Sequence, residues 1–363
     1  MSQPPPQKNA DLSLSIDWSS VRRVLLVRLR SIGDSVLMTP CLAALKDWRP
    51  AIEIGVVTEP LAAPVFEGHP LVDRSFVAGQ SLGSRLRLLA RIRRERFDLA
   101  VNLHGGSTGM LLAAMSGAKY KVGFRGQQGS WLLNKRAPSP DIILGRDVIH
   151  SVEQQLSLLQ WAGVPMPVLP RLALAIHSAS AASLRTKLQN AGLTSPALTS
   201  SRFAIVAPGA AFESKRWSAR GFAQVIDHMR SRWQLESIIV AGPGQEPLAR
   251  EIAGSASTNP YVLSQVSLAE LMALIAIFGR VFVGNDSGPM HIAAAVDCPV
   301  VAVFGSSDPN VWHPWTEAPY RVLGGERGTG DNDRRGSIEK VEAYEVIASV
   351  DEVLQSAATQ AAS

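Results

Sequence analysis

Two doubly wound α/β sheets in tandem are predicted by three features of the 363-residue chain. Short β-branched and leucine-rich runs alternate with segments of helical periodicity in both halves. Small or glycine-bearing polar loops follow several of those runs, and a stretch broken by Pro165, Pro167 and Pro170 separates the halves. Such alternation builds a parallel sheet covered by helices on both faces, with ligands bound outside the carboxyl ends of the strands at the switch point. Two such sheets facing each other are expected to hold the active site in the cleft between domains. The length suits two domains, and 46% hydrophobic against 18% charged residues is the balance of a chain that folds rather than one that stays disordered.

Taken in order, residues 1–20 open on Met-Ser-Gln-Pro-Pro-Pro and read as a disordered tail without the apolar core of a secretory signal. Residues 24–27 form a strand, the loop through Gly33 follows, and 36–45 carries helical periodicity. Further strands are expected at 52–57, 98–103 and 121–124, with helices at 82–96 and 150–164. The first domain is therefore 21–170. A linker region, 171–200, contains a polar helix at 179–192 and a loose stretch at 194–201. The second domain, 201–340, repeats the alternation: strands at 203–207, 237–241, 281–283 and 300–304, and helices at 219–232, 246–253, 268–276 and 289–296. Residues 341–363 close the chain as a helix and tail.

The longest uninterrupted apolar run, 271–278, is far short of the roughly 18 to 20 residues that span a bilayer, so no membrane helix is expected. Two cysteines, Cys41 and Cys298, one in each half, do not make a disulfide framework and fit a reducing cytoplasm. The net charge of +5 is unevenly spread: residues 1–175 carry +8 and the remainder −3. The first half is thus expected to face an anionic partner. Nucleic acid is a poor match, because the arginines lack interleaved aromatics and no nucleic-acid motif occurs.

Four loops after strands carry the chemistry-bearing residues. In Arg28-Leu29-Arg30-Ser31-Ile32-Gly33-Asp34-Ser35, Gly33 is read as permitting a backbone conformation closed to other residues, and Asp34 falls at the start of a helix as either its cap or a catalytic carboxylate. The loop is not the glycine fingerprint of dinucleotide oxidoreductases. In Asn285-Asp286-Ser287-Gly288-Pro289-Met290-His291, Ser287 is a candidate cap and Pro289 sits in the first helical turn. The helix start offers backbone N–H groups and positive dipole charge to a phosphate, with His291 as a further donor or a capping histidine. The loop from Ala207 to Trp217 holds Gly209 and the pair Lys215-Arg216, which is either solvated surface or a counter-charge for a diphosphate. Gly242-Pro243-Gly244-Gln245-Glu246 offers a carboxylate to ribose hydroxyls or to its own helix start.

Together and in this order, the segments resemble the bacterial lipopolysaccharide heptosyltransferases, glycosyltransferase family 9, over residues 21–356. The likeness rests on Arg28 to Asp34 with Leu37-Met38-Thr39-Pro40, and on Asn285 to His291. Lys215-Arg216-Trp217, Gly242-Pro243-Gly244, Val122-Gly123-Phe124 and the final helix from Val341 support it. The resemblance implies a GT-B fold and inverting transfer of a heptose from ADP-heptose to a lipopolysaccharide inner-core or related glycolipid acceptor, with no metal or other cofactor. It also implies a cytoplasmic enzyme lying peripherally on the inner-membrane surface. By the same carry-over Asp34 is the general base and Lys215 meets the donor phosphates. Glu246 meets the ribose, Asp286 holds donor-sugar hydroxyls, and Ser287, Gly288 and His291 surround the diphosphate, with Gly209 in the donor loop. Arg28, Ser31 and Gly33 are the implied acceptor side. A donor carrying another base, such as a UDP- or GDP-hexose, and a sugar-nucleotide binder without turnover are the alternative readings. The chain departs from many relatives in having Asn102 where they carry aspartate, and a polar stretch at 324–336 where they carry a cysteine. His150 matches a histidine common in the family and equally suits a helix start.

The residue types agree with the implied chemistry: a carboxylate accepts the proton of an attacking hydroxyl, while a lysine and a helix N-terminus offset the charge gathering on a departing diphosphate. Within the helix expected at 82–96, Leu82, Leu86, Leu89 and Ile92 are read as the buried stripe. Arg87, Arg91 and Arg94 then share an exposed face, either merely solvated or meeting the anionic groups of the acceptor or of lipid headgroups.

Overall fold

The computed structural model describes residues 16–193, 203–325 and 338–362. The expected tail before residue 16, the stretch at 194–201 and the polar segment at 326–336 lie outside the described residues. The chain divides into two compact units, one of residues 1–30 and 38–170, the other of residues 31–37 and 171–363.

In the first unit six parallel strands are ordered β3-β2-β1-β4-β5-β6, with β1 at Arg23–Val27, β2 at Glu53–Thr58, β3 at Arg74–Val77, β4 at Leu99–Asn102, β5 at Tyr120–Phe124 and β6 at Lys135–Ala137. The central strands β1 and β4 are buried apart from the half-buried Arg23, because helices cover both faces. Leu25, Val27, Val57, Phe97 and Ala100 meet Leu88, Leu89 and Ile92 of the helix Leu82–Arg94 and Met110, Leu112 and Ala113 of the helix Ser107–Ala114 in one core.

Several expectations are corrected here. Residues 16–20 are ordered, as a short 3-10 turn whose Trp18 donates from Nε1 to the Ala162 carbonyl at 2.7 Å and packs edge-on against Trp48. The helix expected at 36–45 is two, Ile32–Val36 and Thr39–Trp48, because Pro40 has no N–H to continue the first. The buried stripe of the helix Leu82–Arg94 is Leu88, Leu89 and Ile92, while Leu82 and Leu86 are exposed. Arg85 takes the adjoining half-buried position and donates to the Gly79 carbonyl at 3.3 Å. His150 is a helix cap: its Nδ1 accepts from Val152 N–H at 3.2 Å, and Glu153 returns the bond to His150 N–H at 3.2 Å.

The second unit repeats the strand order as β9-β8-β7-β10-β11-β12, with β7 at Phe203–Ala207, β8 at Ser237–Val240, β9 at Tyr261–Leu263, β10 at Gly279–Asn285, β11 at Val300–Phe304 and β12 at Tyr320–Gly324. The order reverses between β7 and β10, whose neighbouring ends pair Ala207 with Gly284. Loops leaving those two ends therefore flank the switch point. The C-terminal helix Ala343–Ala362 packs Val346, Val350, Val353 and Leu354 into the core under the helix Ala219–Trp233. Cys41 and Cys298 form no disulfide, and burial pushes the Cys41 thiol up to about 12.

One buried charge ties two helices of this unit together. Glu270 opens the helix Leu268–Phe278 in a capping box with Ser267 and accepts from Lys187 at 2.8 Å and Ser183 at 2.6 Å, both on the helix Ser178–Asn190. Burial pushes its carboxyl upward, but the bonds from Lys187, Ser183 and Ser267 outweigh that and hold it at about 2 against an ordinary 4.5. A depressed carboxylate adds stability above its unfolded pKa and loses it as pH falls from 4.5 through 2. Glu270→Gln is therefore expected to cost about 3 kcal/mol near neutrality and progressively less toward pH ~3, read from urea unfolding midpoints of both proteins at the two pH values. A cost that does not shrink with acid would assign the loss to packing instead.

Candidate active site

The site grows from the carboxyl edge of the second sheet. At the end of β10, Asn285 is fully buried and works in both directions on the loop that follows β7. Its Nδ2 donates to the Pro208 carbonyl at 2.7 Å, and its Oδ1 accepts from Trp217 N–H at 3.1 Å. Both ends of the segment bearing Lys215 are thereby fixed to one strand end. Between them the 3-10 turn Glu213–Lys215 presents Lys215, whose Nζ lies 2.7 Å from Asp286 Oδ2. The same oxygen accepts from Ser307 Oγ in the loop after β11. That loop approaches the Lys215 turn so closely that a Cβ on Gly305 would stand 2.1 Å from the Ser214 carbonyl.

Ser287 occupies the N-cap position of the helix Gly288–Ala295, yet its hydroxyl turns back to the Asn285 carbonyl at 3.2 Å and leaves the helix start uncapped by a side chain. Backbone N–H groups at such an end, reinforced by the helix dipole, attract a phosphate. His291 stands one turn in, only 3% exposed, and its Nδ1 has no hydrogen-bond partner among the described residues. Burial lowers the His291 pKa, Asp286 and Asp34 pull it back up, and Lys215 and His313 push it down. The imidazole therefore feels the charges of Asp34, Asp286 and Lys215, one from each of three of the loops marked in the sequence. Kept neutral by burial, it has one nitrogen to donate and one to accept.

Asp34 belongs to this cluster because the segment 31–37 packs with the second unit, although the boundaries read from the sequence put it with the first. The short helix Ile32–Val36 lies against the helix Gly288–Ala295 through two glycines. A Cβ on Gly33 would meet His291 Cδ2 at 2.7 Å, and one on Gly288 would meet Ile32 Cβ at 2.9 Å. Gly33 is helical and has no positive φ, so the conformational role expected of it is corrected to a spatial one. Ser31, not Asp34, is the N-cap; Asp34 is the third helical residue, its Oδ2 accepting from Ser31 N–H at 3.0 Å and from Ser31 Oγ at 3.2 Å. The carboxylate is thus held in one rotamer beside the buried histidine.

The other expected site residues are dispersed. Glu246 is the first residue of the helix Glu246–Ser255, half-buried at the end of β8. Gly209 faces Gln245, whose side chain fills the space a Cβ would need. Arg28 follows β1 in the first unit and donates to the Leu103 carbonyl past β4, at that sheet's own switch point. Arg87, Arg91 and Arg94 are exposed on the helix Leu82–Arg94. Asn102 is buried and donates to the His104 carbonyl at 2.8 Å and to Gln127 Oε1 at 3.1 Å, shaping the loop that follows β4. Asn285 and Ser307 were not assigned roles from the sequence. Ser307 follows β11 within Phe-Gly-Ser-Ser, a strand-to-loop signal of the same kind as the four used.

Residues 85–341 match the family model described as glycosyltransferase family 9 (heptosyltransferase). The chain belongs to that family. As a family 9 glycosyltransferase it is 29% identical over 350 residues to lipopolysaccharide heptosyltransferase 3 of Escherichia coli, covering 91% of this chain and 99% of the relative. Among solved structures it resembles the glycosyl transferase family 9 protein of Veillonella parvula, with a TM-score of 0.80 at 22% identity over 95% of this chain and 99% of the other. It also resembles the E. coli heptosyltransferase WaaC crystallised with ADP-2-deoxy-2-fluoro heptose, with a TM-score of 0.68 at 20% identity over 91% and 99% of the two chains. These likenesses give the family 9 chain the GT-B fold expected from its sequence. Among the described residues no helix is long and apolar enough to cross a membrane.

Proposed function

We propose that this glycosyltransferase moves a heptose from ADP-heptose to the inner core of lipopolysaccharide or a related glycolipid, with inversion and without a metal. The observation that carries the reading is the packing of Gly33 onto His291, which holds the carboxylate of Asp34 beside the helix start best suited to a diphosphate. Asp34 takes the proton of the attacking acceptor hydroxyl as the new bond to the anomeric carbon forms. The bond from that carbon to the diphosphate breaks, and Lys215, the N–H groups around Ser287 and Gly288, and His291 stabilise the charge left on ADP. Lys215 and the helix dipole supply positive charge at the place where a metal ion serves other transferases. Asp286 and Glu246 are assigned to sugar and ribose hydroxyls, and Gly209 lines the donor loop. Arg28, Ser31 and the Gly33 backbone form the acceptor side, and Arg87, Arg91 and Arg94 meet anionic groups of the acceptor or its surroundings. The names of the relatives support heptose as the sugar and ADP as the carrier. The enzyme is assigned to the cytoplasmic face of the inner membrane as a peripheral protein.

The test is incubation with ADP-heptose and a truncated core oligosaccharide, followed by mass spectrometry. A product heavier by one heptose is expected, together with calorimetric binding of ADP in preference to UDP and GDP. Preferential binding of UDP or GDP would remove ADP-heptose as donor.

A further inference from the structure

Residues 78–140 contain eleven Lys and Arg against two Asp and Glu, an excess of +9 in a chain whose total is +5. Both acids are already occupied: Glu95 pairs with Arg74 at 2.9 Å, and Asp98 accepts the backbone N–H groups of Arg22 and Arg23 at 2.8 and 3.0 Å. The same segment holds a group of exposed apolar side chains, with Leu82 74%, Leu86 55%, Leu111 47%, Met115 40% and Trp131 75% exposed.

These residues share one face of the first unit. The helices Leu82–Arg94 and Ser107–Ala114 contribute to one core and so cover the same side of the sheet. Their ends are joined where Arg93 Nε donates to the Met115 carbonyl at 2.9 Å. At about 100° per residue, Leu82, Leu86 and Arg93 fall within about 40° of one another, so both leucines lie on the flank turned toward the second helix. Leu111 of that helix and Met115, its C-cap one turn on, are exposed apolar residues there. Trp131, in the 3-10 turn Ser130–Leu132 between β5 and β6, stands beside it, where Gly129 abuts Met110. On the outer side of the first helix Arg87, Arg91 and Arg94 span about 60°. The result is an apolar seam bordered by cations and containing an exposed tryptophan.

We infer that this face docks on an anionic lipid bilayer, with Leu82, Leu86 and Trp131 entering the headgroup boundary and Arg87, Arg91 and Arg94 pairing with lipid phosphates. Apolar side chains flanked by arginine, with tryptophan at the polar boundary, match the chemistry of a bilayer interface. The charge excess of +9 selects a negatively charged bilayer over a neutral one. The inference rests on the proposed reaction for its purpose, since a glycolipid acceptor is held in a membrane. It reassigns the three arginines from acceptor sugars to lipid.

The experiment is co-sedimentation of the full chain with phosphatidylcholine vesicles, with or without about a quarter phosphatidylglycerol. Each basic residue near an anionic surface is worth about five-fold in binding, so Arg87→Glu/Arg91→Glu/Arg94→Glu is expected to weaken binding at least about thirty-fold. Leu82→Ser/Leu86→Ser/Trp131→Ser is expected to weaken it about ten-fold while keeping the wild-type melting temperature and the wild-type rate toward a soluble oligosaccharide acceptor. Equal binding to both kinds of vesicle, or either variant binding like the wild type, overturns the inference. So does a change of oligomeric state in the leucine and tryptophan variant without vesicle binding by the wild type. Vesicle binding without sugar transfer would sink the proposed reaction and leave the docking face standing, whereas transfer without vesicle binding would do the reverse.

Discussion

Asp34→Asn is expected to lower kcat by about 10²- to 10⁴-fold while leaving ADP affinity within about a factor of three. The prediction is sharp because asparagine preserves nearly everything except basicity. Its amide oxygen still accepts from Ser31 N–H and Ser31 Oγ, bonds that help to hold Asp34 in the first turn of Ile32–Val36. The packing of that helix on His291 runs through Gly33 and is untouched. Asp34→Ala removes the helix-start bonds as well, at a cost of about 1 kcal/mol in stability. Equal losses of activity in the two variants, with a lower unfolding midpoint only in the alanine one, separate proton transfer from capping. Turnover of Asp34→Asn within about ten-fold of the wild type would assign the carboxylate to the helix alone.

What was legible in the sequence follows from where the information is local. A buried strand is a run of β-branched and leucine residues, so β1, β7 and β11 could be read almost to their ends, and with β1 and β7 the loops that leave them. Edge strands carry no such run. Lys135–Ala137 has one buried residue of three and Arg74–Val77 one of four, and neither was expected. The helix Leu82–Arg94 was found, but its stripe was drawn through Leu82 and Leu86, because periodicity counts leucines and cannot tell which flank the sheet takes. The site residues were legible as motifs and illegible as a constellation. Asn285 bonds Pro208 and Trp217, and Ser307 bonds Asp286, only because the strand order sets β10 between β7 and β11. Gly33 shows the same limit: its missing Cβ matters for space taken by a side chain more than 250 residues away in the chain, not for its own dihedral angles.

Lys215 gives the second large effect, and the difficulty is to separate its charge from its place in the fold. It is paired with Asp286, whose side chain is 6% exposed and also accepts from Ser307. On the proposed reaction, a bound diphosphate draws the ammonium partly away from that carboxylate. Lys215→Ala is expected to lower kcat/KM by about 10²- to 10³-fold, the scale of losing one preorganised charge at a developing anion. It also leaves a buried carboxylate without its cation, at a cost of about 1–3 kcal/mol in stability. The double variant Lys215→Ala/Asp286→Ala removes the stranded charge, so its unfolding midpoint is expected to recover toward the wild type while transfer stays low. Recovery of both stability and transfer would make the pair purely structural. Recovery of stability alone, measured by thermal unfolding beside initial rates, assigns the lysine to the phosphates of the departing nucleotide when Asp286→Ala by itself retains more transfer than the double variant, because Asp286 is itself assigned to the donor sugar.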